Sequence, residues 1–109
     1  MKQVVEYYQR QGILFRSLEP VPPKLLGSRK RVAIYLGVDT EQFYVMVIVI
    51  SKKSRILKQE ADTIMALHPR LESRVGSKIG KKYLLVNAPL CSKARVWMEE
   101  RGWRVDQYM

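Results

Sequence analysis

The run Phe43-Tyr-Val-Met-Val-Ile-Val-Ile50 constrains the fold more than any other stretch of the chain. Eight consecutive apolar residues, mostly β-branched or aromatic, predict a strand buried on both faces, in the middle of a sheet. Ser51-Lys-Lys-Ser-Arg55 follows at once. The exit of the buried strand therefore sets Lys52, Lys53 and Arg55, with Lys58 close behind, at one end of the sheet.

The surrounding residues supply its partners. From Val32 to Val38, Val32, Ile34, Leu36 and Val38 alternate with Ala33, Tyr35 and Gly37, the period of a half-buried strand. Asp39-Thr-Glu-Gln42 reads as the turn of a β-hairpin between the two. From Ile56 the apolar spacing changes to three and four residues (Leu57, Ala61, Ile64, Met65, His68, Leu71, Val75), which predicts a core-facing helix. Pro69 predicts a break near His68. Gly76–Lys82 is a glycine-spaced basic loop, and Tyr83–Asn87 a short apolar strand. A helix follows, with Ser92 as its N-cap, Ala94, Trp97 and Met98 facing inward and Gly102 at its end. Trp103–Gln107 alternates as a last strand.

Upstream, residues 2–11 predict an amphipathic helix stopped by Gly12, then a brief strand at Ile13–Phe15. The proline-rich Glu19–Pro23 predicts an extended connector and Gly27–Arg31 a basic turn. The expectation is one α/β domain over 1–109: helix and short strand (1–18), connector (19–31), and a hairpin-helix-strand-helix-strand core (32–109). Its single sheet is mixed, with both helical crossovers parallel and right-handed.

Charge narrows the function. Twenty Lys and Arg against ten Asp and Glu leave +10. A field of that sign concentrates polyanions, nucleic-acid phosphates first, with an acidic protein partner as the alternative. Arg29, Lys30 and Arg31 precede the hairpin, while Lys52, Lys53 and Arg55 leave it. Antiparallel pairing brings both clusters to one end, the expected nucleic-acid-binding patch. Lys81 and Lys82 precede a parallel strand and belong at the opposite end. No apolar run approaches the ~18–20 residues of a membrane span. The N-terminal residues lack the apolar core of a secretory signal, and one cysteine and one histidine cannot build a zinc cage. A reducing, cytoplasmic setting and no membrane partner are expected.

The order of elements resembles the restriction-endonuclease-like fold, and in particular small archaeal Holliday-junction resolvases, best over Tyr44–Leu71. That resemblance implies an acid on the second strand, Glu-x-Lys on the third and a Glu on the first helix, whose carboxylates hold Mg²⁺. Asp39, Glu6 and Lys52 are the candidates for those roles. Just before Ser51-Lys52-Lys53, however, stand Ile48, Val49 and Ile50, and isoleucine binds no metal. The resemblance thus implies a catalytic site lost or rebuilt.

The other chemistry-bearing residues have plainer readings. Asp39 and Glu41 suit solvated turn positions, Glu60 the start of a helix, and His68 a structural site on an apolar face. At Pro89-Leu-Cys91-Ser92-Lys93 a strand gives way to a helix, so Ser92 and Lys93 are candidates for anion binding. Cys91 lacks the arginine six residues later of a phosphatase loop, because position 97 is tryptophan. Non-catalytic binding of DNA or RNA, needing no cofactor, is the leading expectation. A Mg²⁺-dependent structure-specific nuclease is the runner-up. A protein-interaction subunit, including a homodimer, is the third.

Overall fold

A computed structural model describes residues 2–27 and 32–107. Helix α1 (Lys2–Arg10) leads into strand β1 (Phe15–Val21) and a short 3-10 turn (Pro23–Leu26). The hairpin β2 (Ala33–Asp39) and β3 (Tyr44–Ser51) follows. Helices α2 (Lys58–Met65) and α3 (Leu67–Val75) cross to β4 (Lys81–Asn87), and α4 (Ser92–Glu99) crosses to β5 (Trp103–Gln107).

The five strands lie in chain order, antiparallel from β1 to β3 and parallel from β3 to β5. That is the mixed α/β sheet expected from the sequence, with β3 at its centre. Val45, Met46, Val47 and Ile48 have no accessible surface. Met46, Ile48 and Ile50 point into the larger core, with Ala61, Ile64, Leu67 and Leu71 of α2 and α3 and Ala94 and Met98 of α4. Val45 and Val47 point the other way, onto Val4 and Tyr8 of α1. A helix layer thus covers each face of the strand, which is why it carries no polar side chain along Val45–Ile50.

Several elements depart from the sequence reading. The brief strand expected at Ile13–Phe15 begins at Phe15 and runs to Val21, absorbing most of the proline-rich connector. Pro20 is tolerated because β1 is an edge strand, paired with β2 alone among the described strands, the place in a sheet where a missing N–H costs least. The helix break expected near His68 is present and falls at Ala66, between α2 and α3. Pro69 lies in the first turn of α3, where an N–H has no intrahelical acceptor. Its ring conflicts instead with the carbonyl four residues back, Met65, and there α2 stops.

Leu57 is 55% exposed rather than core-facing. Cys91, not Ser92, is the N-cap residue of α4. Ala94 and Met98 are buried as expected, one helical turn apart, whereas Trp97 is only half-buried and lines a surface groove. In the basic loop before β4, Ile79 is 1% exposed. Its N–H donates to Glu72 Oε2 at 2.8 Å and its carbonyl meets His68 Nε2 at 2.7 Å, so His68 clamps the loop to α3.

Candidate functional site

The two ends of the sheet differ in chemistry. At the exit of β3 the chain does not leave the sheet at once. Lys52 N–H donates to the Asn87 carbonyl (3.2 Å), Ile56 N–H to the Pro89 carbonyl (2.9 Å) and Cys91 N–H to the Ile56 carbonyl (3.0 Å). Ile56 and Leu90 form an isolated parallel bridge. The loops after β3 and β4 are thereby laced together, and Ile56, with no accessible surface, pins them to the core. Lys53 and Arg55 project from one loop and Ser92 and Lys93 from the other, all exposed.

Lys52 behaves differently from its neighbours. Its ammonium pairs with the Glu60 carboxylate in the first turn of α2, so much of its charge is neutralised locally. Glu60, read from sequence as a helix-dipole charge, therefore has a second task. Lys53, Arg55 and Lys93 form no ion pair among the described residues. Arg29, Lys30 and Arg31, the other half of the expected patch, lie outside the described residues. Cys91 sits amid these cations. The backbone N–H groups of Ala94 and Lys93 hold its thiol below the ordinary cysteine range; burial opposes them, and the fields of Arg55 and Lys93 add smaller contributions in their favour.

At the opposite end, Asp39 is not the solvated turn residue expected but is 5% exposed. Its Oδ1 accepts the N–H groups of Glu41 (2.9 Å) and Phe43 (3.0 Å), and its Oδ2 binds the Lys81 ammonium. The parallel register Val45↔Lys81 puts that lysine beside the hairpin turn. The Lys81 hydrogen bond, then the two backbone N–H groups, hold the Asp39 carboxyl below its ordinary value despite burial.

Asp39, Glu6 and Lys52 are not brought together. The whole of β3 separates Asp39 from Lys52, roughly 20 Å or more at ~3.3 Å per residue. Glu6 is exposed on α1, in a shallow groove with Gln3, Tyr7 and Arg10. Among the described residues no three His, Cys, Asp or Glu side chains converge on a point where a metal ion could sit.

No protein-family model matches the chain, and no curated protein matches its sequence. Solved structures do. EndoMS in its apo form superposes over 98% of this chain with a TM-score of 0.62 at 13% identity. A repair endonuclease from Pyrococcus abyssi does so with a TM-score of 0.59, also at 13% identity. The fold is restriction-endonuclease-like. EndoMS in its dsDNA2 complex gives a TM-score of 0.57 at 15% identity, again over 98% of this chain. The chain spans less than half of each of these proteins, 44%, 41% and 44% of their lengths for the apo form, the complex and the Pyrococcus enzyme.

Within this fold the resemblance puts a metal-binding Glu-x-Lys at Ile48, Val49 and Ile50. Ile48 and Ile50 are 0% and 3% exposed in the larger core beneath α2, α3 and α4, and all three side chains are hydrocarbon. They do not fit Mg²⁺, which takes oxygen ligands.

Trp97, Lys58 and Arg101 escaped the sequence reading as a group. The Lys58 ammonium and the Arg101 guanidinium lie 3.6 and 3.2 Å from the indole centroid. The four-residue spacing of Trp97 and Arg101 was a legible signal. Lys58, on another helix, gave none.

Proposed function

We propose that this domain binds nucleic acid through backbone phosphates at the β3–β4 end of the sheet and does not cleave it. The observation that carries the reading is the lacing of the two loops, which gathers Lys53, Arg55 and Lys93 with no carboxylate paired to them among the described residues. Their spread over two loops of a rigid sheet end suits a phosphate backbone better than a single small anion. Arg29, Lys30 and Arg31 extend the same charge in the proposal, since β2 opens beside the end of β3, with Ala33 opposite Val49. Ser92 adds a hydroxyl donor. The fold supports the reading too, because EndoMS with this fold is found on dsDNA.

The nuclease reading draws support from the same fold, through the Pyrococcus repair endonuclease. The separation of Asp39, Glu6 and Lys52 and the hydrocarbon at positions 48–50 favour binding over cleavage. EDTA-sensitive nicking that disappears in Asp39→Ala would reverse that preference.

The test is charge reversal. A Lys53→Glu/Arg55→Glu/Lys93→Glu variant is expected to lose roughly a hundredfold in affinity for duplex DNA at low salt by fluorescence anisotropy, since binding of this type is dominated by phosphate neutralisation. Unchanged affinity in a variant with native circular dichroism contradicts the proposal.

A further inference from the structure

Beside the phosphate patch, α2 and α4 enclose an open groove of ≈ 400 Å³, lined by Lys58, Ser92, Lys93, Val96, Trp97 and Glu100. That volume falls within the ~300–1,000 Å³ of sites that take small organic groups. Val96, on the groove wall, is 49% exposed, an apolar side chain turned outward on a helix whose inward face is filled by Ala94 and Met98. The indole of Trp97 is anchored at its edge, where Nε1 donates to the Asp62 carboxylate. Its π face is covered by cations rather than by other apolar side chains.

We infer that this groove is a stacking site for an unpaired base of single-stranded DNA or RNA, with Trp97 as the platform. The inference rests on the proposed phosphate-binding function and deepens it. Charge points to a nucleic-acid occupant: Lys58, Lys93 and Arg101 surround the indole and groove, against Glu100 on the lining and Asp62, whose carboxylate is engaged by the indole N–H at the ring edge. Continuity points the same way. Lys93 belongs both to the groove and to the loop patch, so a strand lying along Lys53 and Arg55 runs directly into the groove.

The cations over the ring do not block the site. Lys58 is exposed, and cation–π attraction at an exposed position is weak beside the stacking of a base on an aromatic ring. The Lys58 ammonium then leaves the indole face for the phosphate of the incoming nucleotide, and the base takes its place. Duplex DNA keeps its bases stacked on one another and gains only the phosphate contacts.

Fluorescence reads this directly. The chain has two tryptophans, and Trp103 is 4% exposed, so quenching by an added ligand reports Trp97. The unmodified protein is titrated with oligothymidylate, oligouridylate, a duplex of matched length and polyglutamate, with anisotropy of labelled strands in parallel. Saturable quenching by either single strand, but not by duplex or polyglutamate, is expected. Trp97→Leu should weaken single-strand binding by roughly ten- to a hundredfold and leave duplex affinity within about twofold, while Trp97→Phe restores most of the loss. Single strands that bind without quenching overturn the inference while the phosphate-binding reading stands. So does a Trp97→Leu variant of unchanged affinity. Equal quenching by polyglutamate makes the groove a site for acidic protein segments and overturns it as well. No binding of any nucleic acid overturns both readings.

Discussion

Asp39 satisfies two structural demands with one carboxylate. One oxygen closes the hairpin turn by accepting Glu41 and Phe43 N–H, and the other holds Lys81 at the start of β4. The turn was legible in Asp39-Thr-Glu-Gln42, where aspartate commonly bonds backbone two residues on. The ion pair was not, because Lys81 is 42 residues away and only the parallel register brings it back. The pair makes stability depend on pH at both limits. The Asp39 carboxyl lies below its ordinary 3.8 in the fold, so its contribution is present above that value and lost as pH falls through the folded one. Lys81 is raised above 10.5, so its share is present below that value and lost as pH rises through the folded one. Asp39→Asn should lower the melting temperature by a few degrees at neutral pH, and the gap to the parent should close as pH drops below the carboxylate range. A gap that is constant from neutral pH into acid contradicts this assignment.

Among the elements, β3 was the most legible, since a run buried on both faces leaves no polar position to misread, although Phe43 at its head lies outside the strand and is 55% exposed. β1 was the least. Its exposed Arg16, Ser17, Glu19 and Pro20 carry no strand signal, and it forms because β2 offers an open edge. Gly37 is the residue that admits it. A β-carbon there would lie 2.7 Å from the Ser17 carbonyl oxygen and 2.8 Å from Leu18 Cδ1, beside the irregularity between Phe15 and Ser17. The leucine can turn aside but the backbone oxygen cannot. Gly37→Ala should therefore cost about 1–3 kcal/mol, seen as a lower urea midpoint with an unchanged slope. An unchanged midpoint would mean that β1 is free to shift. Pro69 teaches the same lesson at a helix: the sequence foretold a break, but its position depended on which turn received the proline.

At the scale of the whole molecule, the sheet separates two chemistries that the sequence runs together as one excess of positive charge. One end binds its own lysine internally through Asp39. The other presents Lys53, Arg55 and Lys93 outward and continues into the groove at Trp97. That the charge following β3 lies at a sheet end was readable from Ser51–Arg55 alone. Its joining to the α4 start was not, because it depends on hydrogen bonds between two loops more than thirty residues apart. The fold was readable as an order of elements, and the hydrocarbon at Ile48–Ile50 already set it apart from the metal-binding pattern it resembles.

The most direct test of non-catalytic phosphate binding is a titration of labelled duplex DNA at two salt concentrations, each with Mg²⁺ and with EDTA, followed by electrophoresis of the DNA. Phosphate contacts from Lys53, Arg55 and Lys93 alone predict a slope of log affinity on log salt of about −2.7, and contacts from Arg29, Lys30 and Arg31 make it steeper; the binding is indifferent to EDTA and the DNA is recovered intact. Cleaved DNA in the Mg²⁺ samples alone, or an affinity that salt does not change, would contradict it.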